Sequence, residues 1–224
     1  MPVRFNWVRK GRIFCPDGRY DWMQSHAQNP AVLPLPDRLR VYFNCRGKKG
    51  ADGNVQAYPA FVDLDPANPQ HIIAVHDKPL LSLGEAGTFD QFGVMGGSVL
   101  RVGDEIWLYY VGWSRSSGVP YNHAIGLAIS RDGGETFSRY GKGPIMTRTP
   151  SEPFIQNSPF VVKIGDLFHM WYSTGLEWVE HEGRMESIYV MTHATSRDGI
   201  NWQRDGKPCL ATRLEKECQT NPCL

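Results

Sequence analysis

Apolar and polar positions alternate along this chain in short runs, and the runs come in sets. Ile106-Trp107-Leu108-Tyr109-Tyr110 and Leu167-Phe168-His169-Met170-Trp171-Tyr172 are rich in aromatic and branched residues, the composition of a strand on a pleated surface. Each follows an apolar segment that ends in a Gly-Asp pair, Gly103-Asp104 and Gly165-Asp166, which predicts a hairpin. Each precedes a polar loop and a third apolar run, residues 124–129 and 187–192. A Ser-Arg-Asp-Gly turn then leads into a last short strand at Phe137 or Trp202. No helical periodicity of any length is present.

The sets repeat. Residues 128–145 and 194–210 are near copies, and the interval from Asp132 to Asp198 is the length of one four-stranded unit. Tandem antiparallel units of this size predict an all-β propeller of four-stranded blades. A weaker first copy lies upstream, from Pro30 through Val41-Tyr42-Phe43 and Phe61-Val62 to Ile72-Ile73. The expected division of the single domain is an N-terminal segment 1–29, blades at 30–85, 90–147 and 155–211, and the start of a fourth blade at 214–224. The tail Gln219-Thr220-Asn221-Pro222 matches the blade openings Gln28-Asn29-Pro30 and Gln156-Asn157-Ser158-Pro159. Three blades and a stub leave strand edges open. The reading therefore expects a fragment, a partner chain or an open array, with self-association as one way to cover the edges.

Composition narrows the function. With 41% hydrophobic residues, the 224-residue chain can bury a real core. Its net charge of +1 gives no global field for nucleic acid, and no basic run interleaves with aromatics. No apolar stretch is long enough to span a bilayer, and no apolar run follows the charges at the N-terminus, so a cytoplasmic protein with no membrane partner is expected. The five cysteines are scattered, with neither a disulfide framework nor zinc spacing, and no histidine pair has metal-ligand spacing.

Residues 130–137, Ser-Arg-Asp-Gly-Gly-Glu-Thr-Phe, fit the Asp-box pattern S-x-D-x-G-x-T-F. There the Asp side chain accepts backbone N–H bonds inside the turn and Gly permits positive φ, so Asp132 and Asp198 are structural expectations.

Gly87-Thr88-Phe89-Asp90-Gln91-Phe92-Gly93-Val94-Met95, Tyr109-Tyr110-Val111-Gly112-Trp113, Pro120-Tyr121-Asn122 and residues 125–130 resemble the five-bladed β-propeller glycosidase superfamily of arabinanases, β-xylosidases and invertases. Within it the likeness is to poorly characterised members linked to bacterial surface-polysaccharide biosynthesis. The resemblance implies three acids on the innermost strands, and this chain departs from it. The blade-one pattern Asn-Asp-Pro reads Gln28-Asn29-Pro30. The blade-three pattern Arg-Asp-Pro reads Asn157-Ser158-Pro159. The blade-four pattern Glu-Cys is kept as Glu217-Cys218. The resemblance also admits a calcium ion at the channel centre; no other cofactor or metal is expected.

Glycoside hydrolysis needs two carboxyl groups flanking one bond, and an amide has no proton affinity near neutral pH to act as base. Asp90, opening blade two, is expected as base or nucleophile and Glu217 as acid, with Glu152 as a substitute. Expected sugar-binding residues are His26, Asn29, Trp113, Tyr121, Asn122, Asn157 and Trp178. Aromatic faces suit the apolar face of a sugar ring, and amides suit its hydroxyls. Arg46 and Arg115 follow strand ends and suit a carboxylate or phosphate. Three readings follow: a glycoside hydrolase or transferase using carboxylates at the channel mouth, a non-catalytic carbohydrate-binding propeller, and a protein-interaction scaffold. The first is the leading expectation and the other two are its alternatives; the two lost acids count toward the second, and fold alone decides among none of them.

Overall fold

The computed structural model describes residues 6–51, 53–214 and 216–222. Among them are three four-stranded antiparallel sheets and no helix. The first holds β1 (Ser25–Pro34), β2 (Leu39–Lys49), β3 (Val55–Leu64) and β4 (Ile72–Val75). The second holds β5 (Gly93–Val102), β6 (Glu105–Ser114), β7 (Asn122–Ser130) and β8 (Ser138–Arg139). The third holds β9 (Gln156–Ile164), β10 (Leu167–His181), β11 (Arg184–Ser196) and β12 (Gln203–Pro208). Each sheet is a meander in chain order. β1 packs against β5 and β5 against β9, but β1 and β9 do not meet. The sheets are therefore blades set around a shared axis, with their first strands innermost: an all-β propeller architecture.

The period-two alternation explains the packing. On β6, Ile106, Leu108 and Tyr110 enter the core shared with Leu33, Tyr42 and Phe61 of the first blade. The intervening Trp107 and Tyr109 enter the core shared with Phe168, Met170 and Tyr172 of the third. A sheet covered on both faces needs apolar residues at every position, which is why β6 reads as one apolar run. The outer face of the first blade, with Phe43, Cys45 and Val62, is covered by Phe14, Tyr20 and Trp22 of the N-terminal segment.

Two details differ from the sequence expectation. Phe137 and Trp202 precede the last strands rather than lie in them, because their rings are drawn into the inter-blade cores. The polar stretch after Tyr172 is not a loop. β10 and β11 run on as a long hairpin closed by Glu182-Gly183, both at positive φ. Its outer residues are exposed, so no apolar alternation marks them.

The Ser-Arg-Asp-Gly turns join successive blades. Asp132 accepts the Glu135 and Thr136 N–H groups at 3.0 Å and the Ser130 hydroxyl at 2.7 Å. Asp198 does the same with Ile200, Asn201 and Ser196. The turn so shaped presents a carbonyl to the blade before it. Tyr42 donates to Gly134 O at 2.9 Å, and Tyr109 donates to Gly199 O at 2.9 Å. A Cβ at Gly134, where φ is +89, would lie 2.1 Å from the Tyr42 hydroxyl.

Gly134→Ala is therefore expected to destabilise the protein by about 2 kcal/mol or more, through steric conflict and left-handed strain, and Tyr42→Phe by about 1 kcal/mol. Urea unfolding checks both. Acid is expected to loosen the same joints. Burial works against ionisation of Asp132, but the hydrogen bonds from Thr136, Ser130 and Glu135 prevail and hold it at about 2. A depressed carboxyl pKa stabilises the fold above its ordinary 3.8, and that contribution is lost as pH falls from 3.8 toward about 2. An Asp132→Asn variant, followed by thermal unfolding against pH, should lose part of this acid sensitivity.

Candidate functional site

Each innermost strand carries one extra residue at the same height. On β1 the pairing passes from Gln28↔Asn44 to Ala31↔Tyr42, on β5 from Gly96↔Tyr110 to Ser98↔Tyr109, and on β9 from Asn157↔Ser173 to Phe160↔Trp171. These are β-bulges, which bend a strand and re-aim its side chains. In the outer two the bulge is a residue at positive φ followed by proline, Asn29-Pro30 and Ser158-Pro159. The tail repeats the device at Asn221-Pro222, with Asn221 at φ 53. It is fastened to the third blade by Ser173 Oγ donating to Gln219 O at 2.9 Å and by a hydrogen bond of 2.9 Å between the Ser158 and Thr220 hydroxyls.

The three inner strands enclose a channel of about 870 Å³, lined by Asn29, Met95, Ser98, Val111, Asn157 and Asn221 among others. Sharing residues with it, a mouth cavity of about 360 Å³ is lined by Gln28, Asn29, Asn157, Asn221, Trp113, Tyr121, His123 and Tyr189. The fold thus brings together Asn29, Asn157, Trp113 and Tyr121 of the expected sugar-binding residues. Trp113 and Tyr121 stack with centroids 6.1 Å apart, and His123 packs against both, at 4.9 and 4.6 Å. Burial pushes Tyr121 up to about 12, so it stays a hydroxyl donor. Burial, with Arg46 adding to it, pushes His123 down to about 3 and keeps the imidazole neutral. Both His123 ring nitrogens and Trp113 Nε1 are buried without a hydrogen-bond partner.

The other expected residues lie elsewhere. Trp178 stands on the long hairpin and meets Tyr121 edge-on at 5.0 Å, outside the cavity lining. Asn122 accepts from Arg148. His26, at φ 64, lines a separate cavity.

The three acids do not converge. Asp90 is 1% exposed and accepts from Arg139 Nε at 2.7 Å, Tyr110 Oη at 3.0 Å and Thr88 Oγ1 at 3.0 Å. Glu152 is 5% exposed and accepts from Arg204 Nη1 at 2.6 Å and Tyr172 Oη at 2.8 Å. These are one arrangement used twice, an acid before the first strand, a Tyr on the second and an Arg on the fourth. Neither acid lines the channel or the mouth cavity. The sequence expectation put Asp90 at the mouth because it opens a blade; its side chain instead turns outward to Arg139. Glu217 accepts the Arg213 N–H at 2.6 Å and closes the tail turn, and that bond, with Gln219, holds its carboxyl below the ordinary range. A general acid needs the opposite shift.

Calcium takes six to eight oxygen ligands, usually with carboxylates among them. The channel lining holds amides, apolar side chains and no acid, and no group of three His, Cys, Asp or Glu side chains among the described residues could hold a metal. The residues present do not fit that ion.

Of the cavity residues, Gln28, Met95, His123, Ser158, Tyr189, Thr220 and Asn221 were not anticipated from sequence as ligand contacts. Asn221 had a signal, the repeated Asn-Pro opening. His123 and Tyr189 had none beyond strand alternation.

No family model matches the chain. It is 35% identical to the uncharacterised protein MT1551 of Mycobacterium tuberculosis over 97% of its length and 71% of that protein's. The chain belongs to the family of that protein. Its fold matches a solved glycoside hydrolase with a TM-score of 0.64 at 19% identity, covering 87% of this chain and 59% of the other. It also matches Zg3597, a family 117 glycoside hydrolase of Zobellia galactanivorans, with a TM-score of 0.59 at 16% identity, covering 85% and 48%. The chain thus has the fold of the propeller-type glycoside hydrolases and spans about half the length of these structures.

Asp90→Asn and Glu152→Gln each remove the charge facing a largely buried Arg. Each is expected to lower stability by about 2 kcal/mol, less than for a fully dry pair because the arginines keep some water contact. Unchanged urea midpoints would remove both acids from the blade architecture.

Proposed function

We propose that this protein recognises a carbohydrate at the channel mouth and holds it with amides and aromatic faces rather than with a catalytic pair of carboxylates. The observation that carries the reading is the mouth lining. Gln28, Asn29, Asn157 and Asn221 offer paired donors and acceptors, Trp113, Tyr121 and Tyr189 offer ring faces, and neither Asp nor Glu is among them. That combination suits a sugar, with its apolar ring face and rim of hydroxyls. The glycoside-hydrolase-like fold supports a sugar ligand. Hydrolysis through Asp90 and Glu217 would require both groups to abandon their present partners, Arg139 for one and the turn amides for the other.

Isothermal titration with a panel of neutral and acidic oligosaccharides tests this. Binding without bond cleavage is expected, and Asn157→Ala or Asn29→Ala should weaken it about tenfold, the loss of one or two buried hydrogen bonds. Release of reducing sugar by the parent protein but not by Asp90→Asn would overturn the non-catalytic reading. Silence across the whole panel would overturn the sugar reading.

A further inference from the structure

Arg46 differs from the other buried arginines. Arg40 is paired with Asp63 at 2.7 Å, Arg139 with Asp90 at 2.7 Å and Arg204 with Glu152 at 2.6 Å. Arg46, on β2, is half-buried, and no carboxylate among the described residues is paired with it. Its guanidinium lies 4.5 Å over the ring of Trp113, which walls the mouth cavity. On its other side Arg46 lines a second cavity of about 520 Å³ with Ser25, His26, Lys48 and Lys49. That lining has no acidic side chain. Lys48 is drawn to Asp21 at 2.6 Å, both largely exposed, while His26 Nδ1 is 2.9 Å from Ser25 Oγ, which leaves its Nε2 free of that contact. His123, in the mouth lining, is kept neutral and places no second cation beside Arg46. Burial pulls the Arg46 pKa below its ordinary value, the direction expected of a cation removed from water without an anion beside it.

A guanidinium withdrawn from water is costly unless an acceptor meets it, and its planar fork matches an oxyanion in two-point contact. We infer that the sugar recognised at the mouth carries an oxyanion, a carboxylate or a phosphate, seated against Arg46 on the side of His26 and Lys49. The inference rests on the sugar reading above and names the class of sugar. The ring would stack near Trp113 and meet the amides of Asn29 and Asn157, while the anionic substituent reaches across the shared Arg46–Trp113 wall.

The test is isothermal titration of the parent protein and of Arg46→Met, Arg46→Lys and Asn157→Ala with four probes: glucose, glucuronic acid, glucose 6-phosphate and inorganic phosphate. Thermal melting of each variant confirms folding. In the parent, one of the two anionic sugars should bind about tenfold or more tightly than glucose, the scale of a charge-assisted hydrogen bond, and the arm that does so identifies the anion. Arg46→Met should abolish that preference, and Arg46→Lys should restore part of it. Asn157→Ala should weaken the sugars and leave inorganic phosphate binding as it was. Equal affinity for glucose and both anionic sugars, or a preference that survives in folded Arg46→Met, overturns the inference while leaving the sugar reading intact. Inorganic phosphate binding that depends on Arg46, with no response to any sugar, upholds the oxyanion seat and overturns the sugar reading instead.

Discussion

The close approach of the three innermost strands governs this molecule. β5 lies between β1 and β9 with no room for a side chain at its bulge. A Cβ on Gly97 would lie 2.8 Å from the Pro159 carbonyl oxygen and 2.8 Å from its ring. The strands are stitched at the same level. Asn44 donates to Gly96 O at 2.8 Å and accepts Gly96 N–H at 2.7 Å, and Ser98 accepts the Val161 N–H at 3.0 Å. Strand backbones held this near must bulge to stay paired within their own sheets, and the bulges decide which side chains look into the mouth. The middle strand contributes glycines and Met95 there; the flanking strands and the tail contribute amides. The polar groups of the site are therefore distributed by steric room, two blades and a tail supplying what the central blade cannot.

The fold was legible because burial on both faces of β6 and β10 writes an apolar run that only a strand between two layers would carry, and because Gly103-Asp104 and Gly165-Asp166 close two-residue hairpins with positive φ at the glycine. The long β10–β11 hairpin was not legible. Leu176, Glu177, Glu180, His181 and Glu182 leave the core, so the chain lost the alternation that marks a strand. In the site, Asn29, Asn157, Trp113 and Tyr121 could be read from the blade-opening pattern and strand ends. Asp90 misled because its position, opening a blade, is where an acid would face the channel. The decisive signal was the repeat itself: Asp90 and Tyr110 stand at the same separation as Glu152 and Tyr172, and an acid duplicated in two blades with its Tyr and Arg partners belongs to blade architecture. His123 was invisible for another reason. Its significance lies in unpartnered nitrogens, and nothing in a sequence says that a buried histidine lacks a partner.

The charged groups of this propeller divide between two tasks, and the division follows from dielectric environment. Asp90, Glu152 and Asp63 meet guanidinium groups inside or beside the inter-blade cores, where a lone charge would be heavily penalised. Acids fixed in that way lie outside the linings of the channel and its mouth and brace the blades that form their walls. The mouth is left to neutral groups, whose hydrogen bonds strengthen when a ligand displaces water.

Arg46 is the exception that neutrality makes workable. A protonated imidazole at His123 would place a second cation against the same aromatic wall and repel the guanidinium. Burial keeps that ring uncharged, so the Trp113 face is shared by one cation only. A cation held over an indole gains from the ring quadrupole, yet this attraction replaces only part of its lost hydration. On the proposed reading the remainder favours an anion on the Arg46 side of the Trp113 wall, in the cavity that Arg46 lines with Lys48 and Lys49. Hydroxyl-bonding amides on one side and an unpaired guanidinium on the other form an asymmetric pair of contacts. On the proposed reading, a neutral sugar would satisfy half of that pair, and an acidic one both.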